Sequence, residues 1–191
     1  MNTMISLAPR TEQETQWFTT QRVINRMGAT AAAINALIGR DGNALDPFLQ
    51  QSIVLPKVEV LLPDTAPSDY ANLAFLLRQV DETLPPFERH VMVQAKIALD
   101  ASEPWHVGYE RARAFARSHF CRRGFPVIMV GHVPSVAGLN GYGSHVHCIV
   151  LARPITINGL GGACHRLCSD TGYREARDAW KASLAAEEKG A

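Results

Sequence analysis

The chain has 191 residues, of which 47% are hydrophobic and 19% charged, with a formal net charge of +1. This composition is typical of one globular domain, and it excludes a disordered or a fibrous chain. The near-zero net charge gives no overall attraction to nucleic acid, so contact with DNA or RNA would need a local basic surface.

Targeting segments and disulfides are not indicated. The longest apolar runs fall short of the roughly 20 residues that a membrane helix needs, so we expect no membrane span. The N-terminus lacks the basic start and continuous apolar stretch of a secretory signal, because Glu12 and Glu14 closely follow Arg10. The four cysteines are too scattered for a disulfide framework. We therefore expect a cytoplasmic protein with free thiols.

The first part of the chain is mainly helical in pattern. Residues 11–38 are rich in Ala and Gln and are interrupted by a glycine, which indicates two helical pieces. Residues 58–62 form a short run of β-branched residues and leucine, which predicts a strand. Ser68 or Asp69 then caps a predicted helix that reaches about Thr83.

The second part of the chain alternates strands and helices. Residues 90–99 repeat with a period of two and predict a strand, and residues 105–123 predict a basic helix. Two further strands are predicted at 125–133 and 145–155. The loop between them is too short and too rich in glycine for a crossover helix, so these two strands should pair antiparallel. A last helix is predicted at 173–188.

This order of elements predicts an α+β fold. Helices would pack on one face of a central antiparallel sheet of about five strands. No linker or change of composition divides the chain, so we expect a single domain over residues 1–191.

Three histidines are the residues most indicative of function. His145 and His147 lie two apart in a predicted strand, so both side chains point to one face at about 6–7 Å spacing. His132, near the end of the preceding strand, should lie opposite the start of the strand that carries His145. Three imidazoles without an obvious fourth ligand indicate an open metal site. The imidazoles favour Zn, Mn, Co or Ni by affinity, whereas Mg is the abundant ion in a cell.

The other histidines have less distinctive surroundings. A lone histidine on a half-buried element is usually structural, and we assign His90, His106 and His119 to that group. The run C-H-x-x-C at residues 164–168 could be half of a zinc site, but no second pair completes a four-ligand structural site.

The predicted basic helix is a candidate surface for nucleic acid. Its arginines could hold phosphates while its two phenylalanines stack on bases. The alternative is that the phenylalanines face the core and the arginines form a solvated face. The candidate residues for nucleic-acid binding are Arg111, Arg117, Arg122 and Arg123.

One segment of the sequence resembles a known motif. The string S-H-V-H-C-I-V-L-A-R-P at 144–154, after a strand that ends in Gly-His, resembles the metal-binding motif of the MobA/MobL family of plasmid mobilisation relaxases, which are HUH endonucleases. The resemblance extends over roughly residues 29–183, with 1–28 as an N-terminal helical segment. Other blocks similar to that family occur in the same order, at 58–67, 85–99, 111–125 and the helix with Trp180.

The resemblance implies a function. In that family the three histidines hold a divalent cation that polarises the scissile phosphate of single-stranded DNA at a transfer origin. The resemblance implies Mg or Mn as the ion, with Zn, Co or Ni as alternatives. A tyrosine attacks, forms a phosphotyrosine link and frees a 3′ hydroxyl. The resemblance also implies accessory mobilisation proteins and an acidic residue that orients one histidine. Asp81 is closest to that place, with Glu82 as its competitor.

One departure from the family pattern concerns the nucleophile. The family's tyrosine lies in an Ala-rich N-terminal run like A-A-A-Y-R-S-G, where this chain reads A-A-A-I-N-A-L-I-G, so Ile34 occupies its position. Isoleucine cannot attack phosphorus. Tyr142, in the loop between the histidine strands, is then a candidate substitute, although an exposed loop residue is the simpler interpretation.

Three hypotheses follow. The chain is a relaxase domain that nicks and transfers single-stranded DNA; or it is a catalytically lapsed relative that binds metal and DNA without cleaving; or it is a metal-dependent hydrolase unrelated to DNA. Metal-activated water could also replace the tyrosine for plain hydrolysis.

Overall fold

The computed structural model describes residues 57–88, 90–133 and 143–190. Short 3-10 turns at Ser68–Ala71 and Cys121–Arg123 accompany the regular elements. The helical pieces predicted over 11–38, including Ile34, lie outside the described residues. The strands and helices are β1 (Lys57–Leu61), α1 (Leu73–Thr83), β2 (Met92–Ala98), α2 (Trp105–His119), β3 (Val127–His132), β4 (His145–Leu151), β5 (Ile155–Thr156), β6 (Gly159–Leu160) and α3 (Asp170–Gly190).

The central sheet confirms the α+β prediction. Its strand order is β1-β3-β4-β2, and every neighbouring pair is antiparallel, including the expected β3–β4 pair. The expected number of about five strands is wrong, because the sheet formed by the described residues has four. The predicted strand 145–155 ends at Leu151, and the chain beyond Pro154 folds into the separate β5–β6 hairpin. Proline has no N–H to continue the ladder.

Helices cover both faces of the sheet, not one face as the sequence predicted. Leu76 and Leu77 of α1 pack in one hydrophobic cluster with Ile149, on what we call the α1 face. Phe115 of α2 and Trp180 of α3 pack in the other cluster, on the α2–α3 face. The reason is visible in β3, where all six residues are buried, since a strand buried on both sides needs a cover on both faces.

The ends of the helices differ slightly from prediction. The side chain of Asn72, not of Ser68 or Asp69, caps α1 by accepting a hydrogen bond from the backbone N–H of Phe75 at 3.0 Å. Gly124 stops the 3-10 turn after α2 with φ of 90°, a left-handed conformation that glycine adopts without strain.

None of the helices in the described part of the chain is long and apolar enough to cross a membrane.

Candidate metal centre

The three histidines predicted as ligands meet at one end of the central sheet. His132 is the last residue of β3 and lies directly opposite His145, the first residue of β4. His147 is two residues further along β4 and pairs with Val130. Because paired residues point to the same face and Val130 belongs to the core under α1, all three imidazoles project from the α1 face.

The imidazoles are close enough to share one ion. Their ring centroids are 5.1 Å apart for His132 and His145, and 5.0 Å apart for each of the pairs that include His147. One nitrogen from each ring lies within 4.8 Å of the others. His132 and His147 are buried, whereas His145 is half-buried, so the cluster is enclosed on the core side and open beside His145. The prediction that these residues come together is confirmed.

The electrostatics keep His147 neutral. Burial, with the nearby His145, His132 and Lys96 as lesser causes, lowers the pKa of His147 from its ordinary value to about 2. A neutral imidazole retains the nitrogen lone pair that a metal ion requires. Lys96 is placed here by the sheet, since it pairs with His147 across the β2–β4 ladder.

Gln94 contacts His147 from the neighbouring strand. Its Nε2 lies 2.6 Å from Nδ1 of His147. The two orientations of a glutamine amide are interchangeable in such a contact, and the flipped amide accepts a hydrogen bond from Nδ1–H with its carbonyl oxygen. That tautomer leaves Nε2 of His147 as the ligand atom, which is how most metal-binding histidines are oriented.

The sequence interpretation missed Gln94 and Lys96. Both belong to the predicted strand 90–99, where alternation places them on one face. Nothing local indicated that this strand pairs with β4, so their position beside His147 emerges only from the strand order.

This donor set fits a divalent transition metal. The ligand atoms of a tetrahedral ion bound at about 2.0–2.1 Å are roughly 3.3 Å from one another. The three imidazole nitrogens lie within 4.8 Å of one another, so small side-chain rotations would bring them to that separation. Imidazole nitrogens suit Zn, Co, Ni and Mn, whereas Mg prefers oxygen ligands. Three protein ligands leave at least one coordination position for a substrate or water.

The structure does not test the two residues predicted for catalysis, Asp81 and Tyr142. Asp81 lies in α1 two residues before Thr83, whose hydroxyl accepts a hydrogen bond from Arg153 at 2.7 Å. Arg153 follows the end of β4 that is opposite to His145, and the role of Asp81 stays a prediction. Tyr142 lies outside the described residues.

The arginines of the basic helix divide into two kinds. Arg111 binds Glu103 with two hydrogen bonds, 2.6 and 2.9 Å, and also Glu187. Arg123 lies 3.5 Å from Glu175. These two side chains are engaged by carboxylates of the protein.

Arg117 and Arg122 are exposed on the same segment as Arg123. They line a groove together with Asp64, near the end of α2. The phenylalanines of the helix, Phe115 and Phe120, are buried in the core of the α2–α3 face, as the alternative interpretation expected.

Comparison with known proteins supports the fold. No family model matches the chain, and no curated protein matches it with significance. A solved structure concerning the molecular basis of vancomycin resistance transfer in Staphylococcus aureus is similar, with a TM-score of 0.56 and 19% identity. The match covers 66% of this chain and 66% of that one, slightly under two thirds of its length. At this identity the likeness shows a shared fold.

Proposed function

We propose that this chain is a relaxase-type domain that nicks single-stranded DNA at a transfer origin and holds or transfers the cut strand. The observation that carries the proposal is the convergence of His132, His145 and His147 at an open end of the sheet. Its support is the resemblance of this histidine motif to the mobilisation relaxases, together with a shared fold with a protein of resistance transfer.

The side chains around the cluster suit a phosphodiester substrate. A bound divalent cation would withdraw charge from the scissile phosphate. The three imidazoles hold that position with neutral donors, so the positive charge of the ion is not cancelled by carboxylates among its ligands. Gln94 fixes the ring of His147, and Lys96 adds a positive charge that favours the approach of a phosphate.

Tyr142 is the proposed nucleophile. It precedes Gly143 and Ser144, and thus lies three residues before His145 in the sequence. Its hydroxyl oxygen would attack phosphorus, forming a phosphotyrosine with one DNA fragment and freeing the 3′ hydroxyl of the other. The phosphotyrosine bond would conserve the energy needed to rejoin the strand. Asp81 is retained as the proposed acidic residue that orients a histidine.

Binding of the strand would involve the exposed arginines. Arg117 and Arg122 carry charges that can pair with phosphates, and we place the backbone of flanking nucleotides in their groove. Arg111 and Arg123 would contact DNA only by exchanging their carboxylate partners.

A second candidate function is favoured by one observation. Ile34 stands where the family's tyrosine is expected, which is the change that a catalytically lapsed relative would carry. Such a protein would bind the metal ion and single-stranded DNA without cutting it.

A covalent-adduct assay separates the two functions. The metal-free protein is incubated with Mn²⁺ and a pool of random single-stranded DNA labelled at the 3′ end, which is the end that stays with the protein-bound fragment, and the products are separated on a denaturing gel. The proposed function predicts a labelled band that migrates with the protein and disappears in His147→Ala. Tyr142→Phe should remove the band as well, whereas Tyr173→Phe, on α3, is a matched control that keeps it.

The other outcomes are equally informative. DNA binding without any adduct or cleavage supports the lapsed relative. Cleavage without an adduct indicates metal-activated water as the nucleophile. No salt-sensitive binding of DNA at all contradicts both functions and favours a metal-dependent hydrolase that acts on another substrate.

A further inference from the structure

A second cluster of metal-ligating side chains lies at the other end of the sheet. Glu88 and His90 precede β2, and His165 belongs to the turn that follows β6. The backbone ties this region to the far end of β4, because the N–H of Ala152 donates to the carbonyl of Val91 at 2.8 Å. The cluster is therefore separated from the three histidines by the length of the strand β4.

One carboxylate connects the two imidazoles. Oε1 of Glu88 lies 3.1 Å from Nδ1 of His90, and its Oε2 lies 2.9 Å from Nε2 of His165. The two rings are 4.7 Å apart between centroids. The carboxylate is mostly buried, with 12% of its side chain exposed, whereas 66% of the His165 side chain is exposed. The donor atoms therefore converge at a partly buried position that is open to solvent on the side of His165.

The donor set has the composition of a zinc site. One ligand atom from each residue lies within 4.8 Å of the other two, so a small rotation of the side chains brings them to coordination distance. Two imidazole nitrogens and one carboxylate oxygen are a common three-ligand set for Zn²⁺, in which a water completes the tetrahedron. Calcium and magnesium are disfavoured because two of the three donors are nitrogens.

The site would join parts of the chain that are distant in sequence. Glu88 and His90 are 75 or more residues from His165 along the chain. The backbone of the same turn is already fixed, since Cys164 donates to the carbonyl of Ala152 at 2.7 Å. A pre-positioned backbone lowers the cost of bringing the ligands together.

We propose that Glu88, His90 and His165 form a second divalent-metal site, specific for zinc-like ions. It lies apart from the histidine cluster of the proposed nuclease centre and does not depend on that function. When filled, it cross-links the start of β2 to the turn before α3, and its solvent-facing position is open to an additional ligand.

The test counts bound ions with Co²⁺, whose absorption spectrum reports its ligands. The full-length metal-free protein is titrated, and the wild type is compared with His165→Ala and Glu88→Gln. His106→Ala is the matched control, because His106 is exposed on α2 and belongs to neither cluster. The exposure of His165 makes His165→Ala compatible with folding, which circular dichroism checks.

The proposal predicts that His165→Ala and Glu88→Gln each bind one equivalent of Co²⁺ fewer than the wild type, while His106→Ala loses none. His147→Ala should still bind the Co²⁺ ion that His165→Ala does not bind. This result separates the second site from the proposed nuclease centre. An unchanged number of bound ions in His165→Ala overturns the proposal. A thiolate charge-transfer band that disappears with His165→Ala also overturns it, because the ligand would then be Cys164 or Cys168.

Discussion

At the scale of single residues, the properties of His147 come from its neighbours on other strands. Its burial and two adjacent imidazoles lower its pKa, and Gln94 on β2 is in contact with its Nδ1. The sequence indicated the three histidines because two lie in an H-x-H pair and the third ends the preceding strand. The sequence could not indicate Gln94, because no local pattern shows that β2 pairs with β4.

Gln94 should act by positioning His147. Gln94→Leu removes the hydrogen bond while keeping a similar side-chain volume, and we expect the affinity for Mn²⁺ to fall by about 10- to 100-fold. Gln94→Glu, whose carboxylate accepts from Nδ1–H, should retain the affinity. Calorimetric titration measures both variants. Equal affinities in the wild type and Gln94→Leu would show that the contact does not orient the ligand.

His119 should make the protein sensitive to acid. Burial, and secondarily the charge of Arg123, lowers its pKa from 6.5 to about 4, and its ring stacks on Phe115 at 5.4 Å. The unfolded chain takes up the proton at higher pH than the folded one. The neutral ring therefore makes its full contribution to the free energy of unfolding above about pH 6.5, and this contribution declines as the pH falls toward 4.

His119→Gln tests this directly. Urea unfolding of metal-free protein at pH 7 and pH 5 should give a smaller loss of stability for His119→Gln than for the wild type. His106→Gln, an exposed control on the same helix, should lose as much as the wild type. An identical loss in all three proteins would exclude His119 as a source of the pH dependence.

At the scale of elements, the predicted helices and strands within the described residues are present, with ends displaced by a few residues. Local signals were sufficient for the β3–β4 pairing, because its connection is too short for a crossover. They were insufficient for the position of the helices. Whether α1 and α2 cover the same face is decided by strand order, and a fully buried strand such as β3 does not reveal by alternation which side each helix covers.

Gly124 ends the 3-10 turn that follows α2, and we expect a side chain at this position to destabilise the fold. Its φ is 90°, and an added Cβ would also lie 3.3 Å from Cβ of Pro154. Gly124→Ala should therefore reduce the free energy of unfolding by about 1–2 kcal/mol. Gly162→Ala is the control, since a Cβ there meets no atom within 4 Å. Chemical denaturation compares the two, and equal stabilities would contradict the assigned conformation.

At the scale of the whole molecule, charge is distributed in a way that the net value of +1 conceals. Arg111 and Arg113 of α2 are paired with Glu103 and Glu59, which leaves the helix less basic than its sequence suggests. These ion pairs depend on how the chain folds, since Arg113 and Glu59 are 54 residues apart, so the sequence could not separate engaged arginines from accessible ones.

The accessible pair should contribute to DNA binding. Replacing both Arg117 and Arg122 by alanine should weaken binding of single-stranded DNA and reduce the slope of log affinity against log salt by about 1.4, or 0.7 for each lost phosphate contact. Arg174→Ala, at an exposed position of α3, should leave the slope unchanged. Fluorescence anisotropy at several salt concentrations measures the slope, and an unaltered value in the double variant would place the DNA elsewhere.

The measurement that tests the central claim most directly is calorimetric titration of metal-free protein with Mn²⁺, comparing the wild type with His147→Ala and His145→Ala. The three-histidine site predicts that each variant binds one ion fewer than the wild type, while His106→Ala binds the same number. If all four proteins bind equally, or none binds Mn²⁺, the histidines are structural and the proposed nuclease loses its chemical basis.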